Sequence, residues 1–132
     1  MATILVIDED PKSVEFIRWA LWGQGHHVLE AGGGANVERR FEAQAFDAVL
    51  LEVLMEEREG VETILSLKQR WPDRPIVAMT AGGAMVSVTS ALTLAKAVGA
   101  DAILPKPFSA TDLSLAVEQA MTKCPSRAGP GE

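Results

Sequence analysis

Cysteine, positive charge and long apolar stretches are all scarce in this chain. Cys124 is its only cysteine, so neither an intrachain disulfide nor a zinc site built on several thiolates can form, which suits a reducing cytoplasm. Lysine and arginine number 12 against 18 acidic residues, and the net charge of −6 disfavours direct contact with nucleic acid. We expect no membrane contact, because no apolar stretch is long and uncharged enough to cross a bilayer and the chain opens without a basic signal segment.

The composition that is present fits one globular domain. Hydrophobic residues make up 48% of the chain and charged residues 23%, and 132 residues are enough to bury one substantial core. We predict a folded domain over residues 1–122. Residues 123–132, which include Pro125, are predicted to form a flexible tail or a truncated linker.

Short apolar runs alternate with helical patterns along the whole chain. The runs predict five strands, at Thr3–Ile7, His27–Ala31, Ala48–Val53, Ile76–Thr80 and Ala102–Leu104. The helical patterns predict five helices, at Pro11–Gly23, Val37–Phe41, Gly60–Arg70, Ala84–Val98 and Ser109–Met121. This rhythm predicts a parallel sheet covered by helices on both faces, with ligands bound beyond the carboxyl ends of the strands.

Polar residues stand where four of the predicted strands end. The first strand is followed by Asp8 and Glu9, and Glu52 lies near the end of the third, Thr80 at the end of the fourth and Lys106 after the fifth. Three carboxylates brought together repel one another, and a divalent cation, a lysine or proton uptake relieves the repulsion. We therefore expect these residues to form one site.

Four stretches of the chain resemble the receiver domains of bacterial response regulators. They are Ile4-Leu-Val-Ile-Asp-Glu-Asp-Pro11, Phe46-Asp-Ala-Val-Leu-Leu-Glu52, Pro75-Ile-Val-Ala-Met-Thr-Ala81 and Leu104-Pro-Lys-Pro-Phe108. The resemblance extends from residue 2 to about residue 122. It implies an α/β fold of the flavodoxin-like (βα)5 type, a three-layer sandwich with a five-stranded parallel sheet in the order 2-1-3-4-5.

The resemblance also implies roles for the residues at the sheet edge. Glu52 occupies the position of the aspartate that a sensor histidine kinase phosphorylates, Thr80 would close on the phosphoryl oxygens, and Lys106 would pair with them. The implied ligands of a Mg²⁺ ion are Asp8, Glu9, Glu52 and the backbone carbonyl of Leu54. Ile103 falls where many members of the family carry a switch aromatic residue.

Two departures from the family pattern bear on phosphorylation. Glu52 replaces the acceptor aspartate, and Met55-Glu-Glu-Arg-Glu-Gly60 replaces the usual Met-Pro-Gly-Met-Asp-Gly. The added methylene moves the carboxylate by about a bond length, whereas in-line phosphoryl transfer tolerates a misplacement of only about 1 Å. We therefore expect a non-enzymatic signalling module that is not phosphorylated efficiently and works through protein contacts. Glu52 would either mimic the activated state or simply pair with Lys106.

Two other functions remain open at this point. Asp8 and Asp10 could form the Asp-x-Asp motif of a small Mg²⁺-dependent phosphatase of the haloacid-dehalogenase type, although Asp10 before Pro11 is better explained as a helix cap. The chain could also be an ordinary receiver that accepts phosphate.

The predicted helix Ala84–Val98 carries Lys96 as its only charge. Its apolar residues occupy more than one helical face, which is unusual for a helix on the surface. We expect this helix and the strand after it to bind a partner, with a homodimer as one candidate.

Overall fold

A computed structural model of the chain describes residues 2–32, 37–55 and 59–123. Its strands are β1 (Thr3–Ile7), β2 (His27–Gly32), β3 (Ala48–Glu52), β4 (Ile76–Thr80) and β5 (Ala102–Pro105). Its helices are α1 (Pro11–Gly23), α2 (Val37–Ala43), α3 (Gly60–Arg70), α4 (Val88–Ala97) and α5 (Ala110–Lys123). In the described residues no helix is long and apolar enough to span a membrane.

The five strands form one parallel sheet in the order β2-β1-β3-β4-β5. The predicted α/β class, the parallel pairing and the strand order are therefore confirmed. Because all strands run the same way, their carboxyl ends lie along one edge. The ends of β1 and β3 are adjacent there, since Ile7 pairs with Leu51, and the end of β3 adjoins β4, where Glu52 pairs with Met79.

Strict alternation along the strands produces two apolar layers, one on each face of the sheet. Leu5 and Ile7 of β1 pack with α2, α3 and α4, whereas Ile4 and Val6 pack with α1 and α5. Successive strand residues point to opposite faces, so a strand covered on both sides is apolar at every position. This explains why the runs contain almost no polar residue before their carboxyl ends.

Capping residues fix where the helices begin. Asp10 caps α1 by accepting a hydrogen bond from the Lys12 amide at 3.1 Å, and Pro11 follows at the first helical position, as predicted. The predicted start of α4 at Ala84 is wrong, because Ser87 caps the helix with its Oγ accepting from the Ser90 amide at 3.0 Å. Residues 84–87 form a turn, closed by the Gly83 amide donating to the Val86 carbonyl.

Some predictions fall on parts of the chain that the structure does not describe. Residues 124–132, nearly all of the predicted tail, lie outside the described residues, and so do residues 56–58 of the atypical stretch before α3. The domain boundary near residue 122 stays a prediction.

Candidate functional site

A lysine bridges two carboxylates at the carboxyl edge of the sheet. The Lys106 Nζ lies 2.7 Å from Oδ2 of Asp8 and 2.6 Å from Oε1 of Glu52. The three residues come from the chain just after β1, the end of β3 and the chain just after β5. The sheet topology thus brings together residues separated by up to 98 positions in the sequence.

Backbone amides hold the remaining oxygen of each carboxylate. The Asp10 amide donates to Oδ1 of Asp8 at 2.9 Å, and the Leu54 amide donates to Oε2 of Glu52 at 3.1 Å. The lysine is placed by the strand pairing, because the Lys106 amide donates to the Thr80 carbonyl at 2.9 Å. Both oxygens of Glu52 and both oxygens of Asp8 therefore accept hydrogen bonds.

This network is largely removed from water. The exposed fraction of the side chain is 1% for Asp8, 8% for Glu52 and 12% for Lys106. Burial by itself lowers the pKa of Lys106, but the hydrogen bonds and charges of Asp8 and Glu52 outweigh burial and raise that pKa above its usual value. The lysine therefore stays charged at neutral pH, and one positive charge offsets two negative ones.

Thr80 ends β4 beside this network and is fully buried. Its Oγ1 accepts a hydrogen bond from the Gly82 amide at 3.1 Å, and Gly82 takes a positive φ of 84°. A residue with a Cβ rarely adopts this φ, so glycine allows the tight turn that aims its amide at Thr80. The predicted role of the Thr80 hydroxyl toward a phosphoryl group stays a prediction.

The predicted magnesium ligands are Asp8, Glu9, Glu52 and the backbone carbonyl of Leu54, and their role stays a prediction. Glu9 is exposed, and within residues 2–32, 37–55 and 59–123 no group of three or more acidic, histidine or cysteine side chains is placed to hold an ion. Lys106 lies between Asp8 and Glu52 and already offsets their charge. Oxygen ligands such as these suit Mg²⁺. Part of the negative charge that a cation would offset is therefore already offset by Lys106.

The side chain of Asp10 takes no part in the buried network. Its carboxylate is exposed and accepts from the Lys12 amide and from the Ser13 hydroxyl, at 3.1 and 3.2 Å. A phosphatase of the dehalogenase type would need this second acid beside Asp8 in the site, whereas here it caps α1. The geometry gives that alternative no support.

One part of the site was not predicted from the sequence. The Leu54 amide donates to Glu52, a bond that the sequence did not predict, and the role of the Leu54 carbonyl toward an ion stays a prediction. The available signal was spacing, because an acidic side chain at or just after the end of a strand can accept from the amide two residues further on, as Asp8 also does.

A doubly wound sheet with acids after β1 and at the end of β3, a threonine at the end of β4 and a lysine after β5 is typical of the receiver class. The family model described as "Response regulator receiver domain" matches residues 4–118. The chain therefore belongs to the response regulator receiver family. Neither the fold nor this match supports a phosphatase.

Known proteins similar to the chain carry the same domain. A probable transcriptional regulatory protein, TcrX of Mycobacterium tuberculosis, is 29% identical over 86% of the chain and 47% of its own length. A receiver domain protein from Clostridium thermocellum aligns with a TM-score of 0.80 at 27% identity, covering 93% of the chain and 96% of that structure. The beryllofluoride-activated NtrC4 receiver domain dimer aligns with a TM-score of 0.79 at 25% identity, covering 92% of the chain and 97% of that structure. The chain spans about half or less of the curated relatives' length.

Proposed function

We propose that this receiver domain signals through protein contacts with Glu52 as a resident anion, and that Glu52 is not efficiently phosphorylated. The observation that carries the proposal is the bridge from Lys106 to Asp8 and Glu52. In a receiver that accepts phosphate, the acceptor oxygen must reach an incoming phosphorus in line. Here one Glu52 oxygen binds Lys106, the other binds the Leu54 amide, and little of the side chain meets solvent.

The charge at this site supports a permanently charged Glu52 rather than a residue that phosphorylation switches between two states. A phosphoryl group carries roughly −1.5 to −2 charges at neutral pH and three strong acceptor oxygens, whereas Glu52 supplies one charge. The Glu52 carboxylate accepts from Lys106. In the part of the chain that the structure describes, no hydrogen bond joins it to the Thr80 hydroxyl, which accepts from the Gly82 amide. The arrangement therefore favours a simple ion pair over full mimicry of phosphorylation.

Magnesium is proposed to play a reduced part. Lys106 supplies a positive charge between the carboxylates, where the family pattern implies that a cation would act with the help of Glu9 and the Leu54 carbonyl. When bound, Mg²⁺ would offset negative charge on the acids and on a transferring phosphoryl group. We expect weak binding, because Lys106 already offsets part of the charge of Asp8 and Glu52.

The partners follow from the family and the surface. We propose that the domain meets a sensor histidine kinase or another signalling protein in the cytoplasm, makes no direct contact with nucleic acid and performs no catalysis of its own. We propose a homodimer through α4 and β5 because the apolar residues Leu94 and Ile103 on these elements are 54% and 37% exposed. Leu92 is buried against the core, so part of the apolar character of α4 serves folding.

The test compares phosphate uptake by three proteins. Native chain, Glu52→Asp and the matched control Glu118→Asp, an exposed position on α5, are incubated with acetyl phosphate and Mg²⁺, and intact mass is followed over time. We expect a stable mass gain of one phosphoryl group for Glu52→Asp alone, because the shorter side chain cannot keep both of its contacts. Rapid labelling of the native chain at Glu52 or Asp8 would show an ordinary phosphoaccepting receiver and refute the proposal.

A further inference from the structure

His26 holds the start of β1 against the turn that follows α1. Its Nδ1 atom accepts a hydrogen bond from the Ala2 amide at 3.0 Å, and its own amide donates to the Leu21 carbonyl at 2.9 Å. The Ala2 carbonyl in turn accepts from the His27 amide at 2.8 Å, at the point where the pairing of β1 with β2 begins. His26 therefore ties the end of α1 to the starts of two strands at the amino edge of the sheet.

The direction of the Ala2 bond fixes the protonation state of the imidazole. A backbone amide can only donate, so Nδ1 carries a lone pair and the proton of the neutral ring lies on Nε2. A proton added at Nδ1 would set two donors against each other and take this acceptor from the amide of Ala2, a buried residue. The hydrogen bond therefore exists only while His26 is neutral.

The surroundings of the half-buried ring favour its neutral form. Burial is the largest cause that lowers the pKa of His26 below its usual value of 6.5, and the positive terminal amino group lowers that pKa further, whereas the carboxylate of Asp47 opposes them. The other charged or titratable side chains along the two grooves that His26 lines are Glu15, Arg18, His27 and Glu118. The lowering of the pKa prevails, so the ring is neutral at neutral pH.

We propose that His26 is an acid-sensitive latch at the amino edge of the sheet. The neutral ring ties the start of β1 to the turn between α1 and β2, and uptake of one proton from solvent at Nδ1 releases the Ala2 amide. The release is local, because the Thr3 amide is held separately by Oδ2 of Asp47 at 2.8 Å. The latch is independent of the proposed state of Glu52, whose bridge to Lys106 lies at the opposite edge of the sheet.

The first test observes the ring and its partner in the native chain. Nitrogen NMR spectra report the tautomer and the titration of both histidines, and the Ala2 amide proton is followed in the same samples from about pH 8 to about pH 5. We expect the neutral His26 ring to carry its proton on Nε2, to titrate below pH 6.5, and to shift the Ala2 amide signal in step. A proton on Nδ1 of the neutral ring, a midpoint no lower than in the urea-unfolded chain, or an Ala2 signal that ignores the titration would overturn the proposal.

Variants test whether the latch stabilises the domain in the expected pH range. His26→Asn keeps an acceptor oxygen in place of Nδ1 but does not titrate, whereas His26→Phe keeps a ring and removes the acceptor. Because the folded pKa of His26 lies below 6.5, its stabilising effect is complete above pH 6.5 and is lost as pH falls through the folded pKa.

The urea midpoint measures this effect. Between about pH 8 and about pH 5 it should fall further for native protein than for His26→Asn, and at about pH 8 it should be lowest for His26→Phe. The matched control His27→Asn, at the exposed neighbouring histidine, should follow native protein. Equal pH dependence of native protein and His26→Asn, or a His26→Phe variant as stable as native protein at about pH 8, would overturn the proposal.

Discussion

Replacing Lys106 with methionine removes the only cation that the described structure places between Asp8 and Glu52. Methionine keeps most of the side chain's length and apolar contacts, so the main change is the lost charge and its two hydrogen bonds at 2.6 and 2.7 Å. Both carboxylates stay almost completely buried and now repel each other. Removing one partner from a buried ion pair costs about 3–5 kcal/mol, because the remaining charge is left uncompensated.

The magnitude is measurable by thermal and denaturant unfolding. For a domain of this size about 1 kcal/mol corresponds to roughly 4 °C in Tm, so we expect Lys106→Met to lower Tm by about 12–20 °C at pH 7. Lowering the pH should recover part of the loss, because protons can neutralise the stranded carboxylates. Lys12→Met, at an exposed position in the first turn of α1, is the matched control and should change Tm little. A Tm for Lys106→Met within about 2 °C of native would refute the buried bridge.

Two further predictions concern pH and the backbone beside Glu52. The raised pKa of Lys106 gives stability that is complete below the usual lysine value of 10.5 and is lost as pH rises through the higher folded pKa. The free energy of unfolding should therefore fall more steeply above pH 10.5 in native protein than in Lys106→Met. The chain contains no tyrosine, so no phenol titrates in this range and obscures the difference. Parallel curves for the two proteins would contradict the prediction. Separately, Gly60→Ala places a Cβ 2.2 Å from the Val53 carbonyl oxygen and should cost about 1–3 kcal/mol in urea unfolding, whereas Gly23→Ala, with open space around it, should not. Equal stability of the two alanine variants would show that the Val53 to Gly60 contact is not tight.

The fold could be predicted because local signals and the global arrangement agree. The apolar run that ends at Asp8 and Glu9 predicted β1 with the bounds that the structure shows, and Asp10 with Pro11 predicted the start of α1. The predicted start of α4 failed because Met85 and Val86 continue an apolar pattern into a turn, where Met85 is 94% exposed. The capping serine at position 87 was the stronger signal, since its side chain competes for the helix amides.

The site could be predicted in its membership but not in its bonding. Parallel strands bring their carboxyl ends to one edge, which is enough to bring Asp8, Glu52 and Lys106 together. Which oxygen meets which donor depends on side-chain rotamers and on the chain after the strand, and neither is visible in a pattern. The amide of Leu54 is the clearest example. The outward direction of Trp19 was available from the helical period of α1, because it lies opposite the stripe of Val14, Ile17 and Leu21.

A double-mutant cycle on Glu52 and Lys106 tests the central claim most directly. The unfolding free energies of native protein, Glu52→Gln, Lys106→Met and the double variant give the coupling between the two side chains. Contact at 2.6 Å in a buried site predicts a favourable coupling of about 1–3 kcal/mol. Additive losses, with a coupling below about 0.5 kcal/mol, would contradict the view that Glu52 is held by Lys106 as a resident anion.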